Sequence, residues 1–263
     1  MDASTTEILN ALFRWVHVVA GVLWIGLLYF FNWINGPFGK TLDAETKQKV
    51  LPELLPRTLY FFRWGAAYTW LSGVLLLGIV YYMGGAMVEG ATDPSQATMI
   101  GIGSFLVGAL VYDQLWLRVF GDKEEAGVVV SFLLLVGLMA FWAMSTDMGA
   151  RAQFIHVGAL FGTAMAFNVW YRIWPAQRLI IAGIKSGTPV DGSHGKLAGL
   201  RSKHNTYMSV PLIFIMVSSH FPTTVLGFQN DKGWVLLSAV IVVGWLFTWW
   251  VYKKSRTDAP AFY

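Results

Sequence analysis

The sequence contains no cysteine among its 263 residues and has few charged side chains. Without thiols, the chain has no means of forming disulfides, thiolate metal sites, iron–sulfur clusters or the covalent attachment of a c-type haem. Only 13% of the residues are charged, whereas 56% are hydrophobic and 16% are aromatic. This composition is typical of a multi-pass membrane protein rather than a soluble domain. The sequence has no nucleic-acid signal, and we expect no nucleic-acid partner.

Seven apolar segments have about the 20 residues that a helix needs to cross the hydrocarbon core. They lie at about 9–33, 61–83, 99–120, 126–146, 153–174, 206–227 and 233–252. The stretch before the first segment lacks the basic region of a signal peptide, so we expect the first helix to be retained. The sequence therefore predicts an all-α integral membrane protein, a bundle of about seven transmembrane helices forming one domain over residues 1–263.

The lysines and arginines between the segments indicate the orientation. Nearly all of them fall on one side of the predicted membrane, and only Arg151 and Lys232 lie in connections on the other side. Since positive residues accumulate in the cytoplasm, we expect the N-terminus outside and the C-terminus in the cytoplasm.

Two connections are long enough to have structure of their own. Residues 40–56 carry leucines within a polar stretch, a pattern that favours a short amphipathic helix on the membrane surface. Residues 175–205 are basic and rich in glycine. We expect them to form a flexible cytoplasmic loop.

The first segment carries polar residues at helical spacing. Arg14, His17, Gly21, Trp24 and Leu28 follow one another at intervals of three or four residues and therefore share one helix face. A charge and an imidazole are costly in hydrocarbon. We expect this face to turn inward, toward other helices or a bound group.

Three histidines, His17, His156 and His220, are predicted to lie in the outer third of the membrane. Each imidazole could simply hydrogen-bond a neighbouring helix, which is a common use of polar groups in membrane bundles. Their similar depth instead favours a site, in which neutral imidazoles would ligate the iron of a b-type haem or one of them would act as a general base. Arg14 would steady an anion or a haem propionate by charge-assisted hydrogen bonds.

A second polar set lies toward the predicted cytoplasmic side and contains Asp113, Arg118, Arg63, Arg172 and His204. Asp113 falls inside an apolar segment and needs a cationic partner, for which Arg63, Arg118 and Arg172 are available. We favour a buried ion pair that locks the helices. The alternative is a polar pocket for an anion or a route for protons.

Three runs of residues carry a family resemblance. They are Arg14-Trp15-Val16-His17 with Gly21-Val22-Leu23-Trp24-Ile25-Gly26, Leu55-Pro56-Arg57 leading to Phe62-Arg63-Trp64-Gly65, and His204-Asn205-Thr206-Tyr207 continuing to Ser219-His220-Phe221-Pro222. The sequence resembles, over nearly its whole length, the membrane domain of bacterial membrane-bound urate oxidases. The resemblance implies a bacterial inner-membrane protein that oxidises urate to 5-hydroxyisourate and passes the electrons to a cytochrome c.

Members of that family carry a C-terminal cytochrome c, whereas this sequence stops after the seventh segment and has no Cys-x-x-Cys-His. We therefore expect non-covalent haem b and electron transfer to a separate cytochrome c or quinone.

Two other functions stay open at this stage. The chain could be a non-catalytic subunit that binds haem or quinone in a larger membrane complex, or a homo-oligomer with such a role. It could also transport a small anion, with the arginines as counter-charge. The absence of evident inverted repeats makes transport the weaker alternative.

Overall fold

The computed structural model describes residues 2–88, 90, 92–121, 123–221 and 232–256, and this part of the chain is helical with no β-strand. The α-helices are α1 (Ala3–Tyr29), α2 (Gly36–Thr41), α3 (Ala44–Leu76), α4 (Ser95–Leu115), α5 (Glu124–Ser145), α6 (Ala150–Phe167), α7 (Trp174–Ser186), α8 (Gly192–Ser218) and α9 (Gly233–Ser255). Four short π-helical segments extend α1, α3, α4 and α6: π1 (Phe30–Asn35), π2 (Leu77–Tyr82), π3 (Trp116–Phe120) and π4 (Asn168–Ile173).

Six helices in the described part of the chain are long and apolar enough to cross a membrane, as in a multi-pass membrane protein. They are Ala3–Thr41, Ala44–Tyr82, Ser95–Phe120, Glu124–Ser145, Ala150–Ser186 and Gly233–Ser255. Many of their apolar side chains are exposed, including Trp15 at 67%, Val22 at 70% and Met144 at 77%. In a bilayer such surfaces contact lipid, which is as apolar as they are.

The segment expected at 206–227 is not among these six helices. Its first part, 206–218, belongs to α8, whose N-terminal half carries Lys196, Arg201 and Lys203. Residues 222–227 lie outside the described residues.

The two long connections are more ordered than the sequence suggested. The amphipathic stretch at 40–56 is helical but belongs mostly to α3, which runs without a break into a membrane-length helix and buries Leu51, Leu55 and Leu59. The stretch 175–205, expected as a flexible loop, is almost entirely α7 and the first half of α8. Gly187, at a φ of 70°, ends α7 in the left-handed conformation that favours glycine.

Contacts between Cα atoms divide the chain into two compact units. The first contains Met1–Trp15, Trp70–Ala164 and Pro211–Val242, and its core includes Met87, Met139 and Trp142. The second contains Val16–Thr69, Met165–Val210 and Val243–Tyr263, and its core includes Trp24, Leu28 and Phe62.

Aspartates precede four helices and accept hydrogen bonds at their first turns. Asp2, Asp43 and Asp191 stand directly before α1, α3 and α8, and Asp93 stands two residues before α4. The backbone N–H of Thr46 lies 2.8 Å from Asp43 Oδ1. This bond, with a second from the Thr46 hydroxyl, holds the pKa of Asp43 below its ordinary value. Such caps satisfy backbone donors that a helix leaves unpaired.

Candidate functional site

The polar face of α1 turns inward at four of its five positions. Trp24 is 2% exposed and Leu28 is fully buried. Gly21 lies against Thr69 on α3, since a Cβ built on it would be 3.7 Å from Thr69 Cγ2. His17 Nδ1 lies 2.9 Å from the carbonyl oxygen of Thr69. Because a carbonyl oxygen only accepts, Nδ1 donates the hydrogen, and Nε2 of the neutral ring carries the lone pair.

A glycine on α3 allows α1 to approach closely. A Cβ on Gly65 would lie 3.3 Å from the carbonyl oxygen of Ala20 and 3.3 Å from Trp24 Cβ. Small residues at such crossings bring helix backbones together in membrane proteins. The close approach places the Thr69 carbonyl, one turn after Gly65, within reach of His17.

Arg14 departs from the inward face. Its side chain is exposed, and its Nε donates a hydrogen bond of 2.7 Å to Asn10 Oδ1 one turn earlier on α1. The guanidinium therefore stays one turn from His17 along the helix without being buried.

His156 on α6 is fully buried and has hydrogen-bond partners at both ring nitrogens. Nδ1 donates to the carbonyl oxygen of Ala152 at 2.7 Å, and Nε2 lies 3.1 Å from the hydroxyl of Tyr82. In the neutral ring with its hydrogen on Nδ1, Nε2 accepts from the tyrosine. This bond ties α6 to the π2 segment that carries Tyr82.

The ring of His156 is enclosed by aromatic side chains and by a glycine. The centroids of four rings lie 5.8 to 6.5 Å from its own, namely those of Tyr81, Tyr82, Phe105 and Trp142. A Cβ on Gly101 of α4 would lie 2.6 Å from His156 Nε2, which is closer than real Cβ contacts. The imidazole therefore fills the space that glycine leaves, as a packed core residue does.

His220 follows the end of α8 in a turn and is exposed. Its backbone N–H donates to the carbonyl oxygen of Val217 at 3.0 Å. Pro222, the last residue of the His-Phe-Pro run, lies outside the described residues. His156 and His220 fall in the first compact unit and His17 in the second.

The second polar set is likewise divided between the units. Asp113 and Arg118 belong to the first. Asp113 is fully buried and accepts a hydrogen bond of 3.0 Å from Gln114 Nε2, whereas Arg118 on π3 is exposed.

Arg63, Arg172 and His204 belong to the second unit. The guanidinium carbon of Arg63 lies 4.2 Å from the ring centroid of Trp174 and 5.0 Å from that of Trp170. Cation–π contact of this kind attracts a guanidinium to the faces of tryptophan rings. Arg172 lies 5.8 Å from the ring centroid of Phe167. Arg63 therefore packs where π4, the segment that carries Arg172, joins α7.

The second unit also contains a network of buried amides. Asn168 Nδ2 donates to Asn205 Oδ1 at 2.8 Å, and Asn205 Nδ2 donates to the carbonyl oxygen of Met165 at 3.0 Å. Both asparagines and Arg201 have no exposed surface. The sequence already places both asparagines with the second polar set, Asn205 directly after His204 and Asn168 one turn before Arg172.

Each π segment carries a side chain that hydrogen-bonds another helix. Asn32 on π1 donates to Ser202 Oγ at 2.8 Å, and Trp116 on π3 donates to Ser131 Oγ at 3.0 Å. Tyr82 and Asn168 do the same from π2 and π4. A π segment inserts one extra residue per turn and so re-aims the side chains that follow. Hydropathy does not reveal this shift.

The histidines can be tested against the needs of a b-type haem. A ligating imidazole uses one nitrogen for iron and donates from the other to an acceptor that fixes the ring. His17 has such an acceptor, because its Nδ1 donates to the carbonyl oxygen of Thr69. His156 does not fit, because Tyr82 and Gly101 occupy the space at its Nε2. Among the described residues, no group of three or more His, Cys, Asp or Glu side chains is placed to hold a metal ion.

Comparison with known proteins gives one match. The model of the family described as "Urate oxidase N-terminal" matches residues 39–262. The matched range includes the runs at 55–65 and 204–222, whereas the run at 14–26 lies before it. No curated protein and no solved structure matches the chain.

Proposed function

The chain belongs to the Urate oxidase N-terminal family, and from this premise we propose that it is a membrane-bound redox protein that oxidises urate or a similar small substrate. In the proposed reaction urate and one water give 5-hydroxyisourate, two protons and two electrons. The electrons pass to a separate acceptor, a cytochrome c or a quinone. The proposed orientation places the N-terminus outside a bacterial inner membrane, because the basic residues concentrate on the opposite side.

The hydrogen bond between His17 Nδ1 and the Thr69 carbonyl is the observation that carries the choice of residue. It fixes the orientation of the ring with the hydrogen on Nδ1, and His17 keeps part of its surface exposed. An imidazole held in this way can accept a proton from an acidic substrate at Nε2, or can hold a haem iron there. Substrate identity rests on the family match alone.

Arg14 supports an anionic substrate in this proposal. It stands one turn before His17 on α1 and is exposed, with Nε held by Asn10. A guanidinium forms charge-assisted hydrogen bonds with planar anions and keeps its charge at every physiological pH. We therefore assign Arg14 to steadying the urate anion or, where haem b is bound, a propionate.

Haem b would be held in this proposal by His17, whose Nδ1 donates to the Thr69 carbonyl oxygen. A bound haem would supply one-electron transfer between substrate and acceptor. His156 has no part in the proposed site, because its two nitrogens are engaged within the packed core of the first unit.

The test is an anaerobic assay of detergent-purified protein with urate and either ferricytochrome c or a soluble quinone. We expect urate-dependent reduction of one acceptor, with two electrons per urate consumed. A dithionite-reduced minus oxidised spectrum and a pyridine haemochrome on the same sample report non-covalent haem b. A folded protein that reduces neither acceptor would contradict the proposal.

The haem spectra and two further measurements, co-purification and uptake into proteoliposomes, separate the alternative functions. A redox-active haem without urate turnover, together with co-purifying proteins, would favour a non-catalytic subunit of a larger complex. Urate uptake into proteoliposomes that is lost in Arg14→Ala would favour a transporter.

A further inference from the structure

A cavity of about 330 Å³ opens beside the C-terminal end of α9, within the second compact unit. Cavities that hold small molecules measure roughly 300–1,000 Å³, so this one has room for a small polar group. Among the described residues, its lining consists of Lys203, Tyr207, Trp249, Tyr252, Lys253 and Arg256. We propose that it binds the phosphate group of an anionic phospholipid.

The charges of the lining favour an anion. Of the lining side chains that the structure describes, those of Lys203, Lys253 and Arg256 are cationic and none is acidic. Cationic side chains gathered at one cavity produce a positive potential that attracts an anion. A phosphate group, with several acceptor oxygens, suits both lysine and arginine.

The aromatic walls hold this arrangement in place. Tyr207 and Tyr252 stack with their ring centroids 5.8 Å apart, and the Tyr252 hydroxyl donates to Asn32 Oδ1 at 3.0 Å. Lys253 Nζ lies 5.4 Å from the ring centroid of Trp249. Stacking and cation–π contact thus order one wall and one cation before any ligand binds.

The surface beside the cavity favours a lipid over a soluble anion. In the preceding turns of α9, Val243, Leu246 and Trp249 are exposed by 64%, 60% and 55%. This apolar surface leads along the helix to the cations at its end. An acyl chain lying along it would place its headgroup at the level of Lys253 and Arg256. Basic pockets at the ends of membrane helices bind anionic headgroups in this way.

The experiment compares spin-labelled phosphatidylglycerol with spin-labelled phosphatidylcholine bound to the reconstituted protein in phosphatidylcholine bilayers. We expect the wild-type protein to prefer phosphatidylglycerol. Lys253→Gln should weaken that preference roughly fivefold, since one cation near a headgroup contributes that much binding. The triple variant Lys203→Gln/Lys253→Gln/Arg256→Gln should abolish it.

Charge-matched controls separate a site from a general effect of net charge. Lys254→Gln removes a neighbouring cation that does not line the cavity, and it should keep the preference. The variant Lys40→Gln/Lys47→Gln/Lys196→Gln removes three cations elsewhere in the same unit and should also keep it. Equal loss in controls and cavity variants would overturn the proposal. The same would follow from an unchanged preference in the triple variant.

A final arm distinguishes the two sources of phosphate. Inorganic phosphate added at increasing concentration should displace bound phosphatidylglycerol no more than sodium chloride of equal ionic strength does. Displacement by phosphate well beyond that salt control would show that the cavity takes the free anion, and the lipid assignment would be wrong. Lys253→Gln alone tests the proposal if the triple variant does not fold.

Discussion

His17 and His156 form the same first hydrogen bond in different surroundings. Each donates from Nδ1 to a backbone carbonyl oxygen, that of Thr69 at 2.9 Å and that of Ala152 at 2.7 Å. His156 has no exposed surface, and its Nε2 faces Tyr82 and Gly101. His17 keeps part of its surface exposed. A hydrogen bond that orients the imidazole does not by itself make a histidine catalytic, because a substrate or an iron atom must also reach the second ring nitrogen.

The largest stability effect is expected at His156. His156→Ala removes a ring that is packed on all sides and leaves a cavity, at a cost of about 3 kcal/mol in the free energy of unfolding. Thermal unfolding in detergent measures the loss. We expect the folded fraction to keep the activity of the wild-type protein. If His156→Ala kept full stability but lost activity, His156 rather than His17 would be assigned to the site.

A smaller loss is expected when the glycine that faces His156 gains a methyl group. In Gly101→Ala the new Cβ displaces the imidazole, and overpacking of this kind costs about 1–3 kcal/mol. Gly103→Ala is the matched control on α4, because a Cβ there would have no atom within 4 Å. Similar melting temperatures for the two variants would mean that His156 is loosely packed, and the contrast with His17 would weaken.

Removing the hydroxyl that reaches His156 should have a still smaller effect. Tyr82→Phe keeps the ring but deletes the bond to Nε2, and hydrogen bonds between membrane helices contribute about 0.6 kcal/mol. Tyr60→Phe changes an exposed tyrosine and serves as the control in the same unfolding assay. If Tyr82→Phe instead lowers urate turnover strongly without destabilising the protein, Tyr82 and His156 take part in the chemistry.

The smallest effect is expected at the cap of α3, the helix that supplies the Thr69 carbonyl to His17. Hydrogen bonds from Thr46 hold the pKa of Asp43 below its ordinary value of 3.8 in the folded protein. A carboxyl whose folded pKa is depressed stabilises the protein above the unfolded pKa and loses that contribution as the pH falls through the folded pKa.

The melting temperatures of the wild-type protein and Asp43→Ala should therefore differ slightly at neutral pH, and the difference should narrow below a pH of about 3.8. Asp43→Asn keeps an N-cap acceptor without a titrating group, so its melting temperature should show no such narrowing. A difference between wild type and Asp43→Ala that does not change with pH would argue against a contribution from the charge of the cap.

The inward face of α1 followed from the sequence because residues three and four apart share a side of a helix. The prediction held for His17, Gly21, Trp24 and Leu28. It did not hold for the burial of Arg14, whose long side chain bonds Asn10 on its own helix and remains exposed.

The side chains that surround His156 could not be predicted from residue spacing along a helix. Tyr81 and Tyr82 stand near a helix end, a position typical of the interfacial aromatic belt, yet both pack around the imidazole. Their direction depends on the π2 segment, in which the helical periodicity changes. The contact with Gly101 depends on how α4 packs against α6, which no single-sequence pattern encodes.

Membrane-length helices were mostly evident from hydropathy, whereas the polar helices were not. α7 and the first half of α8 were predicted as a loop because glycine and basic residues are frequent in 175–205. Burial of Ala176, Ala198 and Arg201 shows that tertiary packing outweighs these weak local preferences.

The most direct measurement compares His17→Ala with His156→Ala in the anaerobic urate assay, with rates expressed per folded molecule. If His17 accepts the substrate proton or holds the electron carrier, His17→Ala should slow urate-dependent acceptor reduction by about 100-fold or more, while His156→Ala keeps the wild-type rate. Undiminished turnover in folded His17→Ala would contradict the assignment of the site to α1.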